Sequence, residues 1–134
     1  MKMKTLVVIN EQHKLLDAQK RILDEKFSNW EFLKVPADGW TLEDVKETEN
    51  KLKISKGVES VVFVSPIPVL IANLSFSGGF DHGYSHNPNA NHVGDTPFVF
   101  IFHNDKREKV ELSDGRIINK IADDGWQLIN PFNL

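Results

Sequence analysis

Three short polar turns carry the side chains best suited to chemistry. The first is Asn10-Glu11-Gln12-His13, the second Ser65-Pro66-Ile67-Pro68, and the third His103-Asn104-Asp105-Lys106-Arg107. Each directly follows a continuous apolar run. Arg grips a phosphate with a planar fork of donors, and Lys meets it as a point charge. Lys106 and Arg107 are therefore candidates for binding an anionic ligand. His13 and His103 are candidates for proton transfer near neutral pH. Asn10 and Asn104 are candidates for contacts to a base edge or a ribose hydroxyl. The ordinary alternative is that Asn10 and Asn104 bond their own loop backbone and that Lys106-Arg107 is a solvated turn.

Other chemistries find no support in the residue pattern. The chain has neither a G-x-G-x-x-G nor a G-x-x-x-x-G-K-[ST] sequence, which argues against a dinucleotide oxidoreductase and a P-loop NTPase. It also lacks the G-x-S-x-G elbow of hydrolases, and Ser65 is followed by prolines. With no cysteine, disulfides, zinc fingers, iron–sulfur clusters and thiol catalysis are excluded. Asp81, His82, His86, His92 and Asp95 lie in a Gly-, Pro- and Asn-rich stretch that is expected to form a long loop over residues 77–97. His82 and His86 have a metal-compatible spacing only in a helix. Gly83 and Pro88 argue against one, so these histidines are read as solvated, with no metal site. A mobile lid is the second reading of the same stretch.

The elements that must position the turns are legible. Leu6–Ile9, Val61–Val64 and Phe98–Phe102 are continuous apolar runs, as expected of buried parallel strands. Trp30–Val35 reads as a further strand ended by Pro36. Strands are expected near residues 4–10, 30–35, 60–65 and 97–103. Leu15 and Ile22, like Leu16 and Leu23, are seven residues apart and predict an amphipathic helix between residues 12 and 28. Thr41-Leu42-Glu43-Asp44 reads as the capped start of a second, surface helix ending at Lys56-Gly57. Val69–Phe76 reads as a buried helix behind the prolines, with a strand as the alternative that its β-branched residues leave open. Ser113-Asp114-Gly115 between two strand-like runs predicts a hairpin. Trp126–Ile129 is a candidate final strand.

Alternating strands and helices predict an α/β fold, a Rossmann-like open parallel sheet of order 2-1-3-4, with a C-terminal antiparallel hairpin extending one end. In such sheets ligands bind beyond the carboxyl ends of the strands, where strand order reverses. This rule selects the three polar turns.

The chain's 134 residues suit one domain, expected to span residues 1–134. Of its residues, 40% are hydrophobic and 26% charged, ordinary for a globular protein. Sixteen Lys and Arg against 19 Asp and Glu give a net charge of −3, which argues against a general duplex-DNA binder. The apolar runs are shorter than a signal-peptide core or a membrane span, so no membrane partner and a cytoplasmic location are expected.

The order of elements resembles the small single-domain CARF-type proteins of type III CRISPR systems. The resemblance rests on the His-containing turn Asn10–His13, the strand–helix pair Val61–Phe76, the strand ending in His103–Arg107 and the charged hairpin Glu108–Ile118. The Ser65–Pro68 turn departs from the glycine- or hydroxyl-rich turn usual there, and the histidine-rich loop is an addition. The resemblance implies a homodimer that binds a cyclic oligoadenylate second messenger and acts as a ring nuclease. RNA carries its own nucleophile, the 2′-hydroxyl, so the implied cleavage needs no metal or cofactor. His13, His103 and Lys106 would be catalytic. Asn10, Gln12, Ser65, Asn104, Asp105 and Arg107 would bind ligand. Val69–Phe76 and Trp126–Phe132 are the candidate dimer surfaces. A non-catalytic nucleotide sensor, a sponge of phage origin, and a scaffold are the alternatives that the sequence leaves open.

Overall fold

A computed structural model describes residues 2–75 and 95–131. The expected loop 77–97 lies mostly outside them, with His82, His86 and His92, as do Phe76 and Phe132.

The described chain is α/β. The elements are β1 (Lys4–Asn10), α1 (Asp17–Lys26), β2 (Trp30–Val35), α2 (Leu42–Lys51), a 3-10 turn (Ile54–Lys56), β3 (Val58–Phe63), α3 (helical over 68–75), β4 (Phe98–Asn104), β5 (Arg107–Glu111), β6 (Ile117–Ile121) and β7 (Trp126–Ile129). Five strands form one sheet in the order β2-β1-β3-β4-β7. The first four are parallel, as the apolar runs require, with Val8 opposite both Leu33 and Phe63, and Phe63 opposite Ile101. The sequence-expected order 2-1-3-4 is thus the order observed.

Alternating side chains send each central strand's apolar residues to two cores. On one face Val8, Val61, Phe63 and Val99 pack with Val45 of α2 and with Leu70 and Leu74 of α3. On the other face Val7, Val62 and Phe102 pack with Leu23 of α1. Helices on both faces explain why these strands read as unbroken hydrophobic runs.

Three expectations need correction. The hairpin does form, turning at Gly115 with φ +88°, but β5 and β6 make a separate two-stranded sheet. β7 extends the main sheet instead, antiparallel to β4. The reason is burial: Trp126 and Leu128 pack into the α1-side core, whereas every residue of β6 is exposed. The first helix falls inside its expected span, at Asp17–Lys26. Leu16 is its N-cap residue, and with no polar side chain of its own its amide donates to Gln19 Oε1 at 3.0 Å. The second helix is capped as expected by Thr41 and Asp44, which exchange bonds of 3.1 Å. It ends at Lys51, because Leu52 turns into the core; Gly57, at φ +85°, closes the separate 3-10 turn. The third helix is buried on one side only: Leu70 and Leu74 face the core while Val69 is exposed.

Candidate functional site

The turns after β1 and β3 meet because their strands are neighbours. The Val64 and Ser65 amides both donate to Val8 O, at 2.9 and 3.2 Å, carrying the chain past the end of β3 alongside β1. Ser65 Oγ then accepts the Asn10 amide at 2.9 Å and lies 2.7 Å from His13 Nδ1. Ser65 Oγ keeps a hydrogen to donate and a second lone pair to accept with, so it can hold His13 Nδ1 whichever ring nitrogen carries the hydrogen. Ser65 is buried and His13 exposed, so the serine acts as an anchor that orients the imidazole.

Asn10 shapes the same turn. Its Oδ1 accepts the Gln12 amide at 2.9 Å, its carbonyl accepts the His13 amide at 2.8 Å, and its Nδ2 donates to Pro36 O at 3.2 Å. Glu11 fastens the turn to the chain after β2: its amide donates to Val35 O and its Oε1 accepts from the Ala37 amide, at 2.8 and 2.9 Å. The Asn10 side chain is thus committed to loop backbone, the plainer of its two expected roles. Gln12 is exposed and contributes its backbone.

A cleft of about 340 Å³ opens beside this turn, between α1 and the β1–β2 edge. Asn10, Glu11 and His13 form one wall, Trp30 and Phe32 another, and Lys14, Lys20 and Lys34 bring positive charge to it. The rings of Trp30 and Phe32 meet edge-on, 5.4 Å apart at 78°. Lys20 is paired with Asp24 at 2.9 Å, and the Trp30 indole N–H also donates to Asp24. The hydrogen bond from Lys20, and after it the one from Trp30, hold the Asp24 carboxyl below the usual carboxylate range. Lys14 and Lys34 have no ion-pair partner among the described residues. Sequence reasoning missed Lys14, Lys34, Trp30 and Phe32. The available signal was strand alternation, which puts residues 30, 32 and 34 on one face of β2.

The turn after β4 is occupied differently. Asn104 is buried; its Nδ2 donates to Ala122 O and its Oδ1 accepts the Lys106 amide at 2.8 Å. Lys106 Nζ bonds Asp124 at 3.1 Å. The Arg107 guanidinium donates to Asn104 O and Lys106 O at 2.8 and 3.0 Å. His103 Nε2 lies 2.7 Å from Asp105 Oδ1, and Asp105 Oδ2 accepts from Gln127 Nε2 at 3.0 Å. Gly125 lies so close to Asn104 Oδ1 and Lys106 Cβ that a side chain there would overlap both. This turn is a folded corner joining β4 to the chain before β7. No hydrogen bond or ion pair among the described residues joins it to the His13–Ser65 pair. The structure therefore brings Asn10, His13 and Ser65 together, groups His103, Asn104, Asp105, Lys106 and Arg107 separately, and places both groups on the carboxyl edge of the sheet.

A second cleft, of about 390 Å³, lies at the opposite, amino edge, lined by Thr5, Ser60 and Phe100 among others. The Lys26 ammonium sits there 5.0 Å from the Phe100 ring centre. None of the predicted site residues reaches it.

Comparison of the chain with protein-family models, with curated proteins and with solved structures gives no match. Among the described residues no helix is long and apolar enough to cross a membrane.

Proposed function

We propose that this protein binds a phosphorylated nucleotide ligand in the cleft beside Asn10 and His13, and that the ligand is a cyclic oligoadenylate. The observation that supports it is the combination of Lys14 and Lys34, which have no ion-pair partner among the described residues, with the rings of Trp30 and Phe32 in one cleft that runs along β2 from Lys34, near the carboxyl edge, back to Trp30. Aromatic side chains stack with bases at about 1–3 kcal/mol each, and lysines neutralise phosphates. The cleft's size is at the small end for ligand sites, enough for part of a ring rather than all of it. The oligoadenylate assignment itself comes from the resemblance in element order.

Cleavage, in this reading, uses the ligand's own 2′-hydroxyl. Its oxygen gives up its proton and attacks the adjacent phosphorus as the bond to the 5′-oxygen breaks; the 5′-oxygen takes up a proton and leaves as a hydroxyl, and a 2′,3′-cyclic phosphate remains. His13, held by Ser65, is the group oriented for proton transfer, and it works from the same cleft. His103 and Lys106 belong to the neighbouring corner and are tested beside it.

The test is calorimetric titration with cyclic oligoadenylates and with AMP, alongside chromatography of the products with and without EDTA. Binding that weakens tenfold or more in Lys34→Ala supports the site. Cleavage that persists in EDTA and is lost in His13→Ala supports the enzyme, and retention without cleavage identifies a sensor or sponge. No binding to any of these ligands overturns the proposal and leaves a scaffold.

A further inference from the structure

The ribbon β5–β6 stands apart from the main sheet, and all five residues of β6 are exposed. Three are isoleucines: Ile117 is 66% exposed, Ile118 43% and Ile121 46%. A two-stranded ribbon alone in water is marginal, and an open strand edge is a template for another strand.

The two edges of the ribbon are not equivalent. β5 carries Arg107, Glu108, Lys109 and Glu111, the charged dressing that discourages pairing. β6 carries one charge, Lys120, and that is tied to Glu108 at 3.3 Å. We propose that the β6 edge pairs antiparallel with the same edge of a second copy of this chain, about a two-fold axis through Asn119. This register sets Ile117 opposite the partner's Ile121 and Asn119 opposite the partner's Asn119. Lys120 falls opposite the partner's Ile118, so no like charges meet. The same operation on β5 would set Lys109 against the partner's Lys109, a directly opposed like-charge pair. Charge therefore selects the β6 edge, and the result is a four-stranded sheet across the axis. Ile117 and Ile121 lie on one face of it, and each meets its counterpart across the seam. An isologous contact of this kind closes at two copies, at least along this edge. It is small beside a standard interface, so the dimer is weak and concentration-dependent.

This inference does not rest on the ligand, and ligand-free protein tests it. The chain has no cysteine, so an introduced thiol reports alone. Opposed strand positions fall within disulfide reach. Asn119→Cys should cross-link to a covalent dimer under mild oxidation, and adding Ile117→Lys/Ile121→Lys to it should slow that cross-linking at least tenfold. In sedimentation, wild type should dimerise as concentration rises towards about 100 μM, the range of a weak small interface. Ile117→Lys/Ile121→Lys should weaken association at least tenfold, with an unchanged circular dichroism spectrum. Wild type that stays monomeric over this range overturns the proposal. So does cross-linking of Asn119→Cys that is equally fast with and without the two lysines, or a lysine double variant that associates like wild type.

Discussion

The turn after β1 and the turn after β4 both hold an Asn and a His, but their polar atoms go to different places. After β1, Asn10 shapes the loop backbone and Ser65 Oγ holds the exposed His13 ring. Lys14, directly behind, has no ion-pair partner among the described residues and lies beside an aromatic wall. After β4, Asn104, Lys106 and Arg107 spend theirs on each other's backbone, on Ala122 O and on Asp124. A polar turn at the carboxyl edge is a position where ligands bind, but only donors not already used internally are available to one.

The largest expected effect falls on the β4 corner. Asn104→Ala strips buried partners from Ala122 O and the Lys106 amide and should cost about 2–4 kcal/mol. Thermal melting would show this as a fall of several degrees, with ligand binding by the remaining folded protein intact. If Asn104→Ala melts like wild type, the corner is not structural and the contrast collapses. Gly125→Ala should cost about 1–3 kcal/mol by overpacking against Asn104 and Lys106. Its melting curve is the check on how closely the two chains approach.

The β1 side should show the reverse pattern. Lys34→Ala and Lys14→Ala should each weaken nucleotide binding about tenfold, roughly 1.4 kcal/mol, without moving the melting temperature. Titration and melting of the same samples separate the two readouts. Arg107→Ala sharpens the comparison further. The sequence alone expects it to weaken binding and spare stability. Its two backbone carbonyl partners predict instead a loss of about 1 kcal/mol of stability and unchanged affinity.

The smallest effect is one of pH. The hydrogen bond and charge of Lys106 hold the Asp124 carboxyl below the ordinary aspartate range. A depressed folded value means that the pairing supports the fold above the unfolded aspartate pKa, near 4, and that this support is lost as pH falls through the folded value. Because Asp124 is exposed, Asp124→Asn should alter the acid limb of a stability–pH curve only slightly. Asp95, whose carboxylate accepts from the Ser55 amide and hydroxyl, is lowered in the same direction, with Ser55 as the main cause. A control titration of Asp95→Asn keeps the two contributions apart.

Much of the frame was legible because burial on two faces leaves so plain a mark. The runs Leu6–Ile9, Val61–Val64 and Phe98–Phe102 are apolar at every position, which only a strand covered on both sides allows. The Asp114-Gly115 turn was equally plain from its backbone demand. What the ribbon attaches to was not legible, since a hairpin signal fixes two strands to each other and nothing else. Nor could composition tell a used donor from an unused one: Lys34 and Lys106 look alike as letters. Lys34 gains its place from sharing a face of β2 with Trp30 and Phe32, and Lys106 loses its freedom to Asp124, 18 residues away.

The bond from the Asn10 amide to Ser65 Oγ gives the site its own reporter. Backbone hydrogens inside the sheet exchange with heavy water only when strands separate. This one is held by a rotatable side chain, so it can be released by a local event that leaves the sheet closed. Exchange at Asn10, read against its ladder neighbours Val7 and Val8, would track whether the His13–Ser65 unit is locked or loose. A molecule that settles against His13 would slow that single hydrogen before it changed any other, and would do so whether or not it was ever cut.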